Sequence, residues 1–373
     1  MTPPAIPIIA VLTVAAWWSF AIAWADIRVG QNQLEAALAA APDKAEYLSR
    51  LATPASLNRA TELNPWDSSS WVELGLLAER DQNYSQAEAL LLRAAHVDRQ
   101  YQPRWSLANF YFRRQAGPAF WTWAKKTIAL AHTDPLPIFH LCGRMDEDGL
   151  LIDRVSIQDP SMQAAYFDYL LGQNRPDLLQ PAIRHVLENG RTADVPLLMQ
   201  AAEQILGARR DAEAIQLWRR LALQSMLPWP ADDSTNLLSN SKFSAKPTGQ
   251  AFDWRLVHSD GVDFSLHQGL DIDFTGEQPE PIQLLTQVVP SGGGVKYELK
   301  SDYHAPNLNG LAWYILDART GRFLQSGDIN SRLTFETPPH CRLVDIALRY
   351  YRPIGSTRIK GTLTLQSVTL RKL

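Results

Sequence analysis

The 373-residue chain holds only two cysteines, Cys142 and Cys341, far apart in sequence. Two thiols cannot build a disulfide framework or a four-thiolate zinc site. Charge of either sign is not in excess. The 36 Lys and Arg against 39 Asp and Glu leave a formal net charge of −3, so nucleic acid is not expected as a partner. Several catalytic signatures are also missing: H-E-x-x-H, G-x-x-x-x-G-K, G-x-S-x-G and G-x-G-x-x-G do not occur. Gly292-Gly293-Gly294 reads as a turn between strands, because no helix start follows it to receive a phosphate. His258-Ser259-Asp260 has the residue types of a hydrolase triad, but triad members converge from separate places and these are neighbours. Asp271 and Asp273 share a strand face and have calcium-type oxygens, yet read first as a solvated outer face. Asp146, Glu147 and Asp148 read as a solvated acidic loop. The expectation is therefore a non-enzyme with no catalytic residue, metal or cofactor. What the chain does have is 46% hydrophobic residues, enough for sizeable cores and against global disorder, in a length that suggests two domains.

Ile6 to Ala25 is an uncharged apolar run, closed by Asp26 and Arg28. As a helix rising about 1.5 Å per residue it spans roughly 30 Å, the thickness of a bilayer's hydrocarbon core. Trp24 is placed like an interfacial anchor. Two readings stay open. One is an uncleaved transmembrane anchor, favoured because no Lys or Arg precedes the run. The other is a signal peptide cut after Ala23-Trp24-Ala25. Both assign residues 1–29 to the membrane segment, with residues 6–25 in the membrane and the rest outside the cytoplasm, on the periplasmic side.

Residues 30–228 read as helices, with apolar positions at spacings of three and four and few β-branched runs. Pro160-Ser161 and Asp177 look like helix starts. A pattern recurs. Trp71, Leu74 and Gly75 open one helix, and Tyr84, Ala87, Leu91 and Ala94 space out a second. Thirty-four residues after Trp71, Trp105 opens another helix, and Ala214 and Trp218 mark a further second helix. This resembles the tetratricopeptide repeat, in which small residues let paired helices approach and large ones fill the gap to the next pair. Ala78 stands where Tyr is usual, Arg99 where Pro is usual and Asn109 where the next Gly is expected. The resemblance implies an α-solenoid whose groove takes a protein partner, with Trp71, Trp105 and Trp218 as packing residues.

Residues 229–235 read as a linker, in a stretch from Leu227 that has Pro228, Pro230 and polar residues and no helical period. Beyond it the period changes to two: Leu270, Ile272 and Phe274 alternate with Asp271 and Asp273, and Leu363 and Leu365 with Thr362 and Thr364. Nine or ten short strands in residues 236–373 predict an antiparallel β-sandwich, a jelly roll. Asn236-Leu-Leu-Ser-Asn240-Ser-Lys-Phe243, then Gln287-Val-Val-Pro290 before Gly292 and Tyr297-x-Leu299, and finally Ser367-Val-Thr-Leu370, resemble carbohydrate-binding modules of the galactose-binding-like type. Ser241 replaces the usual glycine of the first segment.

That resemblance implies polysaccharide as a ligand, held by aromatic faces with polar side chains beside them. The candidates are Trp313, Asp317, Tyr303 and Trp254, from a wider set with Tyr314, Tyr350, Tyr351, His304 and Arg349. Strand alternation sends Trp313 and Tyr314 to opposite faces, and likewise Tyr350 and Tyr351. On one reading Trp313 and Asp317 face the open side while the uniformly apolar Ala312, Tyr314 and Leu316 face the core. On the other, Leu311 and Ile315 mark the core and Trp313 is buried with them. The pairing of repeat array and sandwich resembles components of bacterial exopolysaccharide and surface-glycan systems. It implies a membrane-tethered adaptor, the alternative being a protein-interaction scaffold without glycan binding, or less so a glycan-active enzyme.

Overall fold

The computed structural model describes residues 5–145, 151–155, 157–189, 191–230, 235–305 and 309–373. The acidic loop Asp146–Asp148 and part of the linker, residues 231–234, lie outside them. A helical region precedes two antiparallel sheets. The helices are α1 (Ala5–Gly30), α2 (Leu34–Ala40), α3 (Ala45–Leu51), α4 (Pro54–Leu63), α5 (Ser68–Arg80), α6 (Tyr84–Val97), α7 (Tyr101–Arg113), α8 (Gly117–Ile128), α9 (Leu136–Gly143), α10 (Leu151–Val155), α11 (Pro160–Gly172), α12 (Leu179–Asn189), α13 (Val195–Gly207) and α14 (Asp211–Leu223). The strands are β1 (Arg255–Leu256), β2 (Val262–Leu266), β3 (Leu270–Phe274), β4 (Ile282–Pro290), β5 (Lys296–His304), β6 (Leu311–Asp317), β7 (Phe323–Asp328), β8 (Leu333–Glu336), β9 (Leu343–Tyr350) and β10 (Gly361–Lys372). The chain divides into two compact units, Met1–Met162 and Gln163–Leu373.

In the first unit, α1 is long and apolar enough over Ala10–Gly30 to cross a membrane. Val11, Leu12, Val14, Trp17, Trp18 and Phe20 are exposed along it. Its last turns behave differently. Ala25 is fully buried against Ala37 of α2 and Tyr47 of α3. Asp26 accepts hydrogen bonds from the Tyr47 hydroxyl and, at 2.7 Å, from Lys44 Nζ.

Helices α4, α5 and α6 start where the sequence supplies a side-chain acceptor for their unpaired N–H groups. Thr53 and Ser56 bond reciprocally at the start of α4, with Pro54 in the first turn. Asp67 accepts from the Ser69 amide at the start of α5, and Asn83 from the Gln86 amide at the start of α6. Inside the α5–α6 pair, Leu91, Ala87 and Ala94 are fully buried. A Cβ built on Gly75 would lie 2.7 Å from Leu91 Cγ, so only glycine fits this approach.

One turn geometry recurs. Gln82, Gln115 and Arg209, which follow α5, α7 and α13, all have left-handed φ of 53–61°. In each case the next amide bonds back five residues, from Asn83 to Ala78, Ala116 to Tyr111 and Arg210 to Ile205. This arrangement satisfies carbonyls that the helix end leaves unpaired.

The second unit joins α13 and α14 to the sheets. Strand order is β1-β4-β9-β6-β7 in the first sheet and β2-β3-β10-β5-β8 in the second, with antiparallel pairs throughout. One hydrophobic core takes residues from both sheets, among them Leu285, Ile315, Ile346, Ile272, Leu299 and Leu365. The α13–α14 pair is fixed to this body by polar links. Glu203 accepts from Arg255 Nη2 and the Ala251 amide, both at 2.5 Å. Asp211 pairs with Arg319, which also donates to the Leu206 carbonyl. Trp218 packs on Trp229 and Phe252, and its indole N–H donates to Ser239 Oγ. The compact unit that holds the sandwich therefore begins well before the linker.

Candidate functional site

Trp313 lies on the core side of β6 at 1% exposure. Its indole N–H donates to Ser301 Oγ of the other sheet at 2.6 Å. Trp254 is fully buried, 6.2 Å from the Trp313 ring and 5.4 Å from Phe243. Asp317 is buried too, and it accepts from the Arg319 and Thr320 amides of its own hairpin. Burial pushes its carboxyl up, but those amides hold it below the ordinary carboxylate range. Tyr303 is half-buried against the core. Of the two readings of β6, the one that buries Trp313 with Leu311 and Ile315 holds, and the open-face Trp313–Asp317 pair is corrected, as is Trp254. A ring enclosed between two sheets has no face to offer a sugar, and the carboxylate serves its turn. Tyr350 is also wholly buried.

Alternation then assigns the opposite partners to the outer face of the first sheet. Cross-strand register puts Gln283, Arg349 and Ala312 in one row. Thr286, Ala347, Tyr314 and Ser326 form the next. Tyr314 is the centre of this face. The Arg349 guanidinium carbon sits 4.9 Å from its ring centroid, Tyr351 is 5.5 Å away and Phe323 6.5 Å. Phe323 and Tyr351 are exposed. Arg349 Nη2 donates to Gln283 Oε1 at 3.3 Å, while its Nε is buried without a partner among the described residues. Beside them Asp345 accepts from the Thr286 hydroxyl. Burial pushes the Asp345 carboxyl up, against the opposing pull of that hydroxyl and of Arg255 and Arg349. Burial likewise raises the Tyr314 hydroxyl. Three aromatic rings, a guanidinium, an amide and a carboxyl thus share one face, the side-chain types that grip pyranose rings and their hydroxyls.

The other motifs take less eventful places. Asp271 and Asp273 lie on the outer face of the second sheet and accept from Thr364 and Thr362. Among the described residues no group of three or more His, Cys, Asp and Glu is arranged to hold a metal ion. Ala214, Leu74 and Trp218 are buried, while Trp71 and Trp105 are half-buried. Trp71 donates to the Pro65 carbonyl. A cleft of about 470 Å³ runs between α14 and the sandwich, lined by Trp218, Trp229, Phe252, Leu223 and Leu237. The sequence reading had no signal for this cleft, because its walls lie on both sides of the linker.

No family model and no curated protein matches the chain. Among solved structures it is similar to accessory secretory protein 1, 2 and 3 of Streptococcus pneumoniae, at 12% identity over 38% of this chain and 98% of that one, with a TM-score of 0.27. It is similar to a structure described as "CBM4 structure and function", at 15% identity over 36% of this chain and 99% of that one, TM-score 0.28. A third similar structure is the enzymatically active domain of bacteriophage CBA120 tailspike protein 4, at 15% identity over 37% of this chain and 22% of that one, TM-score 0.27.

Proposed function

We propose that this chain is a non-catalytic, membrane-tethered adaptor that binds glycan on the outer face of its first sheet and a protein partner through its helical region. The helix pairs are read as a tetratricopeptide-like solenoid, for which the glycine contact at Gly75 and the recurring left-handed turn speak. The two sheets are read as a jelly roll. The setting is a bacterial exopolysaccharide or surface-glycan system, with α1 as an anchor and the remainder outside the cytoplasm. One observation carries the glycan reading: Tyr314 at the centre of a sheet face, with Tyr351, Phe323 and Arg349 around it.

Titration of the full chain in detergent against a panel of neutral oligosaccharides tests it. A shallow site of this kind binds with Kd from high micromolar to millimolar, about −4 to −6 kcal/mol. Tyr314→Ala should abolish that binding with little change in the melt. A folded wild-type chain that binds none of the panel leaves a protein-interaction scaffold and ends the glycan reading.

A further inference from the structure

The near-zero net charge of the chain hides a local excess. Residues 93–144 carry eight cations (Arg93, Arg99, Arg104, Arg113, Arg114, Lys125, Lys126 and Arg144) against two carboxylates, Asp98 and Asp134. Much of this charge lies on the α7–α8 pair, where it alternates with aromatic rings. Tyr101 and Trp105 stack at 6.0 Å with planes 13° apart. Between them in sequence, Arg104 reaches across to α8 and donates to the Lys126 carbonyl at 3.2 Å. Lys126 Nζ sits 3.9 Å from the centroid of Trp123, and Lys125 beside it is exposed. Arg104, Lys125 and Lys126 form no ion pair among the described residues; Arg113 does, with Glu79. Asp134 is the one carboxylate whose charge acts on Tyr101.

We infer that the α7–α8 face is a second binding surface, for a linear polysaccharide carrying carboxylate or sulfate groups. From the proposed function it takes only the setting, a protein that handles glycan; it does not use the sheet site. The rings of Tyr101 and Trp105 supply flat apolar faces for pyranose C–H groups, and Arg104, Lys125 and Lys126 supply charge for the acidic substituents. A polymer presents that pair of features at every repeat, so successive weak contacts reinforce one another. The same charge is attractive to an anionic bilayer. A bilayer contact needs protruding apolar side chains, however, and none of the exposed large hydrophobic residues belongs to α7 or α8. Single-stranded nucleic acid also uses cations and stacking rings. Here Lys126 covers one face of Trp123, which a stacking base would need.

The test uses the full chain in phosphatidylcholine nanodiscs, titrated with polygalacturonate, dextran and a single-stranded oligonucleotide. Polygalacturonate should bind, more weakly as salt rises, and dextran should not compete for it. Arg104→Gln with Lys126→Gln should weaken polygalacturonate about tenfold with an unchanged melt, whereas Tyr314→Ala should leave it as in wild type. The inference falls if the double variant binds polygalacturonate as wild type does, if the oligonucleotide binds more tightly, or if phosphatidylglycerol in the disc abolishes polygalacturonate binding. Loss in Tyr314→Ala alone would overturn this surface and leave the sheet site standing; loss in the double variant alone supports it whatever the fate of the sheet site.

Discussion

Substituting Gly75 by alanine should destabilise the first unit, although propensity alone predicts the reverse. Alanine is favoured over glycine in a helix interior by about 1 kcal/mol. At this position, however, the new Cβ would sit 2.7 and 2.8 Å from Leu91 Cγ and Cδ2 and 3.4 Å from the Ala87 carbonyl. Leu91 is fully buried, so its side chain has no free volume to retreat into. Overpacking of this kind costs about 1–3 kcal/mol, which leaves a net loss of about 1 kcal/mol, or roughly 2–4 °C in Tm for a unit of this size. Leu91→Ala alone should cost about 2–5 kcal/mol through the cavity it opens. With Leu91 removed, the obstacle to a Cβ at position 75 is gone, and Gly75→Ala should then stabilise by about 1 kcal/mol. The sign reversal amounts to a coupling energy of about 2 kcal/mol, read by calorimetry on the four members of the cycle. The same sign in both backgrounds would refute the close approach of α5 and α6 at Gly75.

Trp313→Ala should lower the stability of the sandwich by about 3–5 kcal/mol, measured by urea unfolding; a loss under about 1 kcal/mol would mean that the ring is not in the core. Because burial pushes the Asp345 carboxyl up, the folded state holds that proton more tightly than the unfolded one. Stability should therefore fall as pH rises from the ordinary carboxylate range through the raised value. Asp345→Asn should lack this component, so wild type should lose ground to the variant across that window; parallel pH profiles would contradict it. Peptide mass mapping of membrane-fractionated protein should recover Ala25 still joined to Asp26, since both are packed into the start of the helical region. A mature chain starting at Asp26 would show cleavage instead of anchoring.

The strands of the sandwich were legible from period-two alternation, but their inside and outside were not always. On β6 both residue sets are largely apolar. The rule that a uniformly apolar set faces the core fails there because the outer set has neighbours of its own: Arg349, Tyr351 and Phe323 stand around a half-buried Tyr314. Asp317 misled for a different reason. A carboxylate at the end of a strand usually signals solvent, and here it turns back to bind the amides of its hairpin. The opposition of Trp313 to Tyr314 and of Tyr350 to Tyr351 was readable, so that knowing one buried ring of each pair gives the exposed one. The helix starts at Pro160 and the packing residues around Gly75 were local signals and thus visible. The attachment of α14 to the sandwich was not, since Asp211 and Arg319 are 108 residues apart and each is an ordinary surface charge by itself. The basic face on α7 and α8 vanished into a whole-chain charge sum.

Hydroxyl-radical footprinting of the full chain, with and without a bound oligosaccharide, addresses the central claim most directly. Tyr314, Tyr351 and Phe323 are half-buried or exposed and open to the radical, while Trp313 and Trp254 are shut inside the sandwich. The account predicts that ligand protects Tyr314, Tyr351 and Phe323 together and leaves Trp313 and Trp254 as unreactive as before. Ligand binding that protects none of the three, or that protects side chains on the outer face of the second sheet instead, would contradict it.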